Sequence, residues 1–223
     1  MLVNADFSQP ALVAVEDYQW VASPQAGVER VMLDRRGGEK ARATSIVRYA
    51  PQSFFPEHPH PGGEEILVLT GTFSEGDEHF PAGYYLRNPP GSRHQPSSLE
   101  GATIFVKLWQ MKPDEKDSVR IDTRDPANWQ HLEGRRICRL FENESEQVFL
   151  QALSPGESIH FPQGTCAEFL VIAGYVESSD QPLKAGSWMR LPQEFNPGFT
   201  AGREGATVYL KTGYLNDSPG AAA

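Results

Sequence analysis

The sequence predicts an all-β protein built as two tandem β-barrels, one unit repeated. Three observations predict it. The 223 residues carry 18 Pro and 20 Gly spread throughout, so short apolar runs alternate with turn residues, a pattern of many strands and not of long helices. The chain is long enough for two domains of about 100 residues, each able to bury a core. It also repeats itself: Glu65-Ile66-Leu67-Val68-Leu69-Thr70-Gly71 answers Glu168-Phe169-Leu170-Val171-Ile172-Ala173-Gly174 at an offset of 103. The same offset carries Ala82 to Pro89 onto Ala185 to Pro192, and an offset of 104 carries Gly101 to Lys107 onto Gly205 to Lys211.

Upstream the match is looser. Trp20 answers Trp129, and Val31-Met32-Leu33 answers Cys138-Arg139-Leu140, at larger offsets that imply small insertions. The copies therefore span 1–113 and 114–223, joined at the polar, Pro-containing run from Met111 to Asp117. Ser8 to Val15 reads equally as an extended arm or an edge strand. Strands are expected in the first copy at Thr44 to Tyr49, Glu65 to Gly71, Gly83 to Arg87 and Thr103 to Gln110, with counterparts in the second. Ile66-Leu67-Val68-Leu69 is apolar at successive positions, so both faces of that strand need covering. One face would line a barrel and the other would meet the second copy or another subunit.

A net charge of −9 with no basic run excludes an electrostatic footprint for nucleic acid. No apolar stretch approaches the roughly 20 residues of a membrane span, and the N-terminus lacks the layout of a signal peptide. A soluble cytoplasmic protein is expected. In such a setting Cys138 and Cys166 read as reduced, space-filling thiols, with a redox-sensitive pair as the sharper alternative.

The chemistry concentrates between His58 and His94. His58-Pro59-His60 places two imidazoles on one face of an extended segment. Pro61-Gly62-Gly63 makes a turn, after which Glu64 opens the next strand with its carboxylate toward the same interior. Pro89 and Gly91 form the tight turn that leads to His94. Three imidazoles and one carboxylate suit zinc, iron, manganese, nickel or copper without choosing among them. Four protein ligands close a tetrahedral zinc site and leave two cis positions on octahedral iron or manganese. Strand alternation allows only one of Glu64 and Glu65 to face the metal. The six residues between Glu64 and Gly71 select Glu64. The repeat agrees, since Glu65 recurs as Glu168 while Glu64 becomes Ala167. The other ligand positions become Phe161, Gln163 and Pro197, and His160 lies one position off, so one metal per chain is expected. His79 and His131 sit in polar segments and read as solvated or capping. Incidental histidines in an exposed Pro-rich loop are the bland reading of His58, His60 and His94, and it leaves the joint spacing with Glu64, Gly71, Pro89 and Gly91 unexplained.

These residues resemble the two cupin motifs. Gly62 to Gly71 with Arg87-Asn88-Pro89-Pro90-Gly91-Ser92 is most similar to the cupin domain of ChrR-type anti-sigma factors, as are Asn4-Ala5-Asp6-Phe7, Ala43 to Pro51, and Ile104 to Trp109. The resemblance covers the first copy strongly and the second as a degenerate echo. It implies a double-stranded β-helix, or jelly roll, in a bicupin arrangement, with the metal in the barrel mouth and zinc as the metal. His58, His60, Glu64 and His94 fall on the family's ligand positions. ChrR-type proteins regulate a sigma factor in response to singlet oxygen, through a separate N-terminal helical domain with its own His and Cys zinc ligands. No His precedes His58 and no Cys precedes Cys138, so that sequestering mechanism does not carry over.

Two functions follow from these readings. One is a regulatory, stress-sensing metal module whose partner is a sigma factor or another regulatory protein. The other is a metal-dependent dioxygenase acting on a β-diketone or hydroxyaryl ketone held in the first barrel, with Tyr84, Arg87, Lys107 and Trp109 as candidate pocket residues; for each of these, packing or surface pairing is the plainer role. A cupin whose metal only braces the barrel is a third reading, and a homodimer is a further expectation.

Overall fold

The structure is a computed structural model that describes residues 1–213 apart from Glu39, Gln163, Asp180, Glu194 and Asn196. The sequence counterpart of His60 in the second copy, Gln163, thus lies outside the described residues. Strands dominate, and helix among the described residues is confined to two 3-10 turns at Val15–Asp17 and Pro126–Asn128. No helix of the described residues is long and apolar enough to cross a membrane.

Two units each build a jelly-roll barrel of antiparallel strands, and their two sheets share one strand order. In the first the order is Val28–Arg36, Arg42–Tyr49, Ala102–Leu108, Glu64–Glu75, Tyr84–Asn88 and Val119–Asp122. In the second it is Arg135–Glu142, Gln147–Leu153, Thr200–Thr212, Ala167–Glu177, Trp188–Leu191 and Ala11–Val13. The expected strands are present with bounds shifted by a few residues; the Glu64–Glu75 strand runs past Gly71 by four positions.

The last strand in each order changes the partition of the chain. Among the described residues the first unit comprises Met1–Ala5 with Gln19–Arg124, and the second comprises Asp6–Tyr18 with residues 125–213. The sequence places one boundary at 113/114; the fold instead interleaves the segments. Ala11–Val13 pairs with Trp188–Leu191 as an edge strand, which settles the reading of Ser8 to Val15. Val119–Asp122 pairs with Tyr84–Asn88. Backbone pairing decides this, because an edge strand goes where open N–H and C=O groups await it.

In the first barrel Ile66, Val68, Phe73, Phe80, Leu86, Ala102, Ile104 and Val106 form the core. Leu67, Tyr85 and Phe105 are buried on the opposite face of the same strands, which accounts for the unbroken apolar run. Gly71 has φ +68°, and a Cβ there would lie 1.9 Å from the Gly101 carbonyl oxygen. Gly174 repeats the arrangement against Gly205. The repeated glycines therefore mark a point where two backbones touch.

Candidate metal centre

His58–His60 and Ser92–His94 form a separate two-stranded ribbon in which His94 lies directly opposite His58. His60, two residues along, shares their face. The three rings consequently meet edge to face, with centroids 4.5 Å apart for His60 and His94, 4.8 Å for His58 and His60, and 5.2 Å for His58 and His94. One nitrogen from each ring lies within 4.8 Å of the others.

The turn between ribbon and sheet brings in the carboxylate. Gly63 takes φ +74°, where a Cβ would collide with Met111. Glu64 then enters the sheet buried, with Oε2 3.5 Å from His60 Nε2 and 3.4 Å from His94 Nε2. Glu65 points to the other face and pairs with Arg87 at 3.1 Å.

The rings are also oriented. His58 Nδ1 lies 2.8 Å from the Pro56 carbonyl oxygen, and His94 Nδ1 lies 2.7 Å from Glu75 Oε1. Both acceptors require an N–H at Nδ1, which leaves the lone pair of the neutral ring on Nε2. His94 Nε2 aims that lone pair at His60 Nε2, 2.8 Å away. Donor atoms bound at roughly 2.0–2.2 Å to one ion stand about 3.4 Å apart at tetrahedral angles and about 3.0 Å apart at right angles. The separations among His60, His94 and Glu64, from 2.8 to 3.5 Å, lie close to those values, and with His58 within 4.8 Å the residues fit a divalent ion. Imidazoles braced through Nδ1 by a carbonyl and a carboxylate are the usual support of such a centre.

Glu75, Asn88 and Arg120 complete the shell. Asn88 sits opposite Glu64 in the strand register and donates to Glu75 Oε1 at 2.8 Å and Glu64 Oε2 at 3.3 Å. Arg120 donates to Glu75 Oε2 at 2.8 Å and to Asn88 Oδ1 at 2.7 Å. The sequence reading missed all three. Arg120 lies past the expected junction, and only the pairing of Val119–Asp122 brings it back.

Burial sets the electrostatics. It pushes the Glu64 carboxyl up to about 7, assisted by the Glu75 charge and opposed by His94, Asn88 and Arg120. It holds the His60 imidazole down to about 3, with the charges of His94 and His58 adding to the effect. For Glu75 burial acts upward but is outweighed by hydrogen bonds from His94 and Asn88 and by the His94 and Arg120 charges, so its carboxyl lies below the usual range. His94 is raised, because its bond to Glu75 and the charges of Glu64 and Glu75 together exceed the opposing effect of burial. The shell is thus a neutral His60, a braced His94 and two acids held apart in affinity for protons.

The cluster opens onto a cavity of about 750 Å³, whose lining includes His58, His60, Glu64, Tyr49, Phe55 and Trp109. Of the pocket residues expected from the sequence, only Trp109 reaches it. Arg87 is buried between Glu65 and Glu115, Lys107 is buried and bonded to Thr44, and Tyr84 packs with Phe80. Outward strand parity explains Arg87 and Lys107, both opposite Glu65 in the register, whereas Tyr84 shares the inward parity of Leu86 and packs against the apolar core. His79 is exposed and bonded to Ser74, and His131 is exposed.

In the second unit Phe161 packs with Phe169 and Phe199 at centroid distances of 6.1 Å, and Ala167 is buried in the same core. Apolar packing occupies the positions equivalent to His58 and Glu64, and no metal-suited cluster occurs among the described residues of this unit.

The comparisons accord with this architecture. Residues 8–112 match the model of the ChrR Cupin-like domain. Among solved structures, a candidate dioxygenase from Nostoc punctiforme is 17% identical, with TM-score 0.76 over 94% of this chain and 85% of that one. A bacterial pirin from Escherichia coli in complex with nickel(II) is 13% identical, with TM-score 0.68 over 92% of this chain and 98% of that one. A candidate glyoxylate-induced protein from Pseudomonas aeruginosa is 17% identical, with TM-score 0.72 over 95% of this chain and 91% of that one. No curated protein matches the sequence. Residues 8–112 therefore match the ChrR Cupin-like domain, and the chain has the cupin fold of these solved structures.

Proposed function

We propose that the first barrel is a mononuclear metal centre serving a small-molecule reaction of the dioxygenase type. His58, His60, Glu64 and His94 are its ligands, and Glu75, Asn88 and Arg120 hold them in place. The observation that carries this reading is the opening of the imidazole cluster onto a cavity of about 750 Å³, a volume suited to a small organic ligand. A metal that only braced a barrel would need no such room. When bound, the ion would supply Lewis acidity toward a carbonyl-bearing substrate. Around it the chain excludes water with Tyr49, Phe55 and Trp109 and keeps the His58 and His94 lone pairs aimed inward. The likeness to the Nostoc punctiforme candidate dioxygenase supports the reaction class, and the nickel-bound pirin supports a metal in this fold. β-Diketones and hydroxyaryl ketones are the proposed substrates. Iron-loaded protein is expected to consume oxygen with at least one member of such a panel, and His58→Ala to abolish that uptake. Uptake by none of them would overturn the proposal.

The match to the ChrR Cupin-like domain favours a second reading, a zinc-bound stress-sensing module. A sigma factor or other regulatory protein is its partner, in the cytoplasm, without contact to nucleic acid, and the chain acts as a homodimer. The signal in this reading falls on the ligand loops and not on the thiols, since Cys138 and Cys166 are buried and burial pushes the Cys138 thiol up to about 11. Zinc near one equivalent in protein purified without added metal, with a sigma factor captured in a pull-down, would favour it; iron would favour the oxygenase.

A further inference from the structure

The wall of the cavity away from the ligand cluster is cationic. Arg30, Met32 and Arg35, all on the Val28–Arg36 strand, line it. Simple alternation would put residues 30, 32 and 34 on one face and Arg35 on the other. A register irregularity between Met32 and Asp34 inserts one residue and reverses the parity. Arg35 consequently turns into the cavity, while Asp34 is buried on the other side and pairs with Arg42 at 3.5 Å.

The bulge thus removes the one acid of this stretch that could have neutralised the cavity. The other, Glu29, pairs with Arg48 at 2.6 Å. Among the described residues neither Arg30 nor Arg35 has a carboxylate partner: Arg35 donates to the Gly38 carbonyl oxygen, and the buried Arg30 Nε has no hydrogen-bond partner. The two guanidiniums are also close enough for Arg30 to add to the effect of burial in depressing Arg35 below the usual range. Among the described residues the only acid in the lining is Glu64, which belongs to the ligand cluster.

The register fixes where this pair stands. Arg35 is opposite Ala43, Ala43 opposite Leu108, and Leu108 opposite Glu64. Arg35 and Glu64 therefore occupy one transverse row of the sheet, three strands apart, or about 14 Å along its curve at roughly 4.8 Å per strand. Val47, Ile104, Val106 and Leu108 supply apolar wall in the same cavity. Two half-buried guanidiniums with no carboxylate partner among the described residues thus stand together at one side of an apolar chamber, an arrangement suited to an anion.

We propose that the ketone ligand of the first barrel also bears a carboxylate, its acid group held by Arg30 and Arg35 and its apolar body lying across Val47, Ile104 and Val106 toward the His58, His60 and His94 cluster. This rests on the cavity being the ligand chamber of the metal centre, but the arginine subsite itself needs no metal.

Hexanoate, hexanol and hexylamine serve as probes, titrated calorimetrically into the metal-loaded full-length protein. Hexanoate is expected to bind at least about tenfold more tightly than the alcohol or the amine, and the double variant Arg30→Gln/Arg35→Gln to lose at least about tenfold of that affinity with metal content unchanged. Arg30→Lys, which keeps the charge, is expected to stay within about threefold of the parent and serves as the control for folding. Hexanoate affinity that equals the amine's, or that survives the double variant, would overturn the inference. Repeating the titration after chelation separates the two readings. Arginine-dependent hexanoate binding that persists without bound metal sustains the subsite even if the metal centre fails. Full metal content with no preference for hexanoate removes the subsite alone.

Discussion

At the scale of single residues, the two neighbouring glutamates have opposite roles because a strand turns successive side chains to opposite faces. Glu64 meets the imidazoles while Glu65 meets Arg87. Glu75→Gln keeps the shape of the brace but removes its charge, and should weaken metal affinity by about 10–100-fold in a metal titration. Glu65→Gln should leave metal affinity within about threefold but destabilise the fold by about 1.5–3 kcal/mol in chemical denaturation, the worth of one charge-assisted hydrogen bond, because the buried Arg87 cation keeps Glu115 as its partner. The proton balance is equally specific. Folding raises Glu64 from 4.5 to about 7, so in the metal-free protein its contribution to stability declines as pH rises through that window. Folding lowers His60 from 6.5 to about 3, so its contribution declines as pH falls through that one. Metal needs both groups deprotonated, and His60 is already so above about 3. Metal affinity should therefore decrease as pH drops below about 7, by at most tenfold per unit from Glu64, with proton release measurable in buffers of different ionisation enthalpy. An affinity flat between about pH 5 and pH 8 would contradict this assignment of Glu64.

At the scale of elements, two departures from regular strand geometry and pairing shape the site. The irregularity in the Val28–Arg36 strand aims Arg35 inward and Asp34 outward. The edge strand Val119–Asp122 delivers Arg120 to Glu75. Its counterpart in the second unit is Ala11–Val13, paired with Trp188–Leu191. The triple substitution Ala11→Gly, Leu12→Pro and Val13→Gly should abolish that pairing, through lost ladder bonds and the entropy of glycine. Amide exchange in Trp188–Leu191 should then accelerate while Tyr84–Asn88 keeps its protection. Equal exchange in both strands would show that Ala11–Val13 does not serve the second unit.

At the scale of the whole molecule, one barrel carries the candidate centre and the other fills the equivalent space with Phe161, Phe169 and Phe199. Stripping the metal should therefore lower the melting temperature of the first unit alone; a ligand held at about 100 times its Kd stabilises by about 2.7 kcal/mol. Calorimetry with and without chelator would show it as a transition that shifts beside one that does not. The repeat made much of this legible in advance. Positions unchanged between copies, Glu65 with Glu168 and Arg87 with Arg190, are cross-strand partners in both barrels. Positions that differ include Glu64 against Ala167, and the same comparison distinguishes Glu75 from Ser178 and Asn88 from Leu191, a signal that could have found two of the three missed residues. Arg120 carried no such mark, because its place depends on which sheet edge captures the strand after the junction. By itself the sequence determined the repeated all-β architecture and the four residues drawn together at the ribbon and turn, since local spacing and strand alternation fix which side chains share a face. Only the tertiary structure decided the interleaved edge strands, the Glu75 brace with Arg120 behind it, and the inward turn of Arg35. These depend on long-range pairing and on a single inserted residue, and neither leaves a periodic trace in the chain.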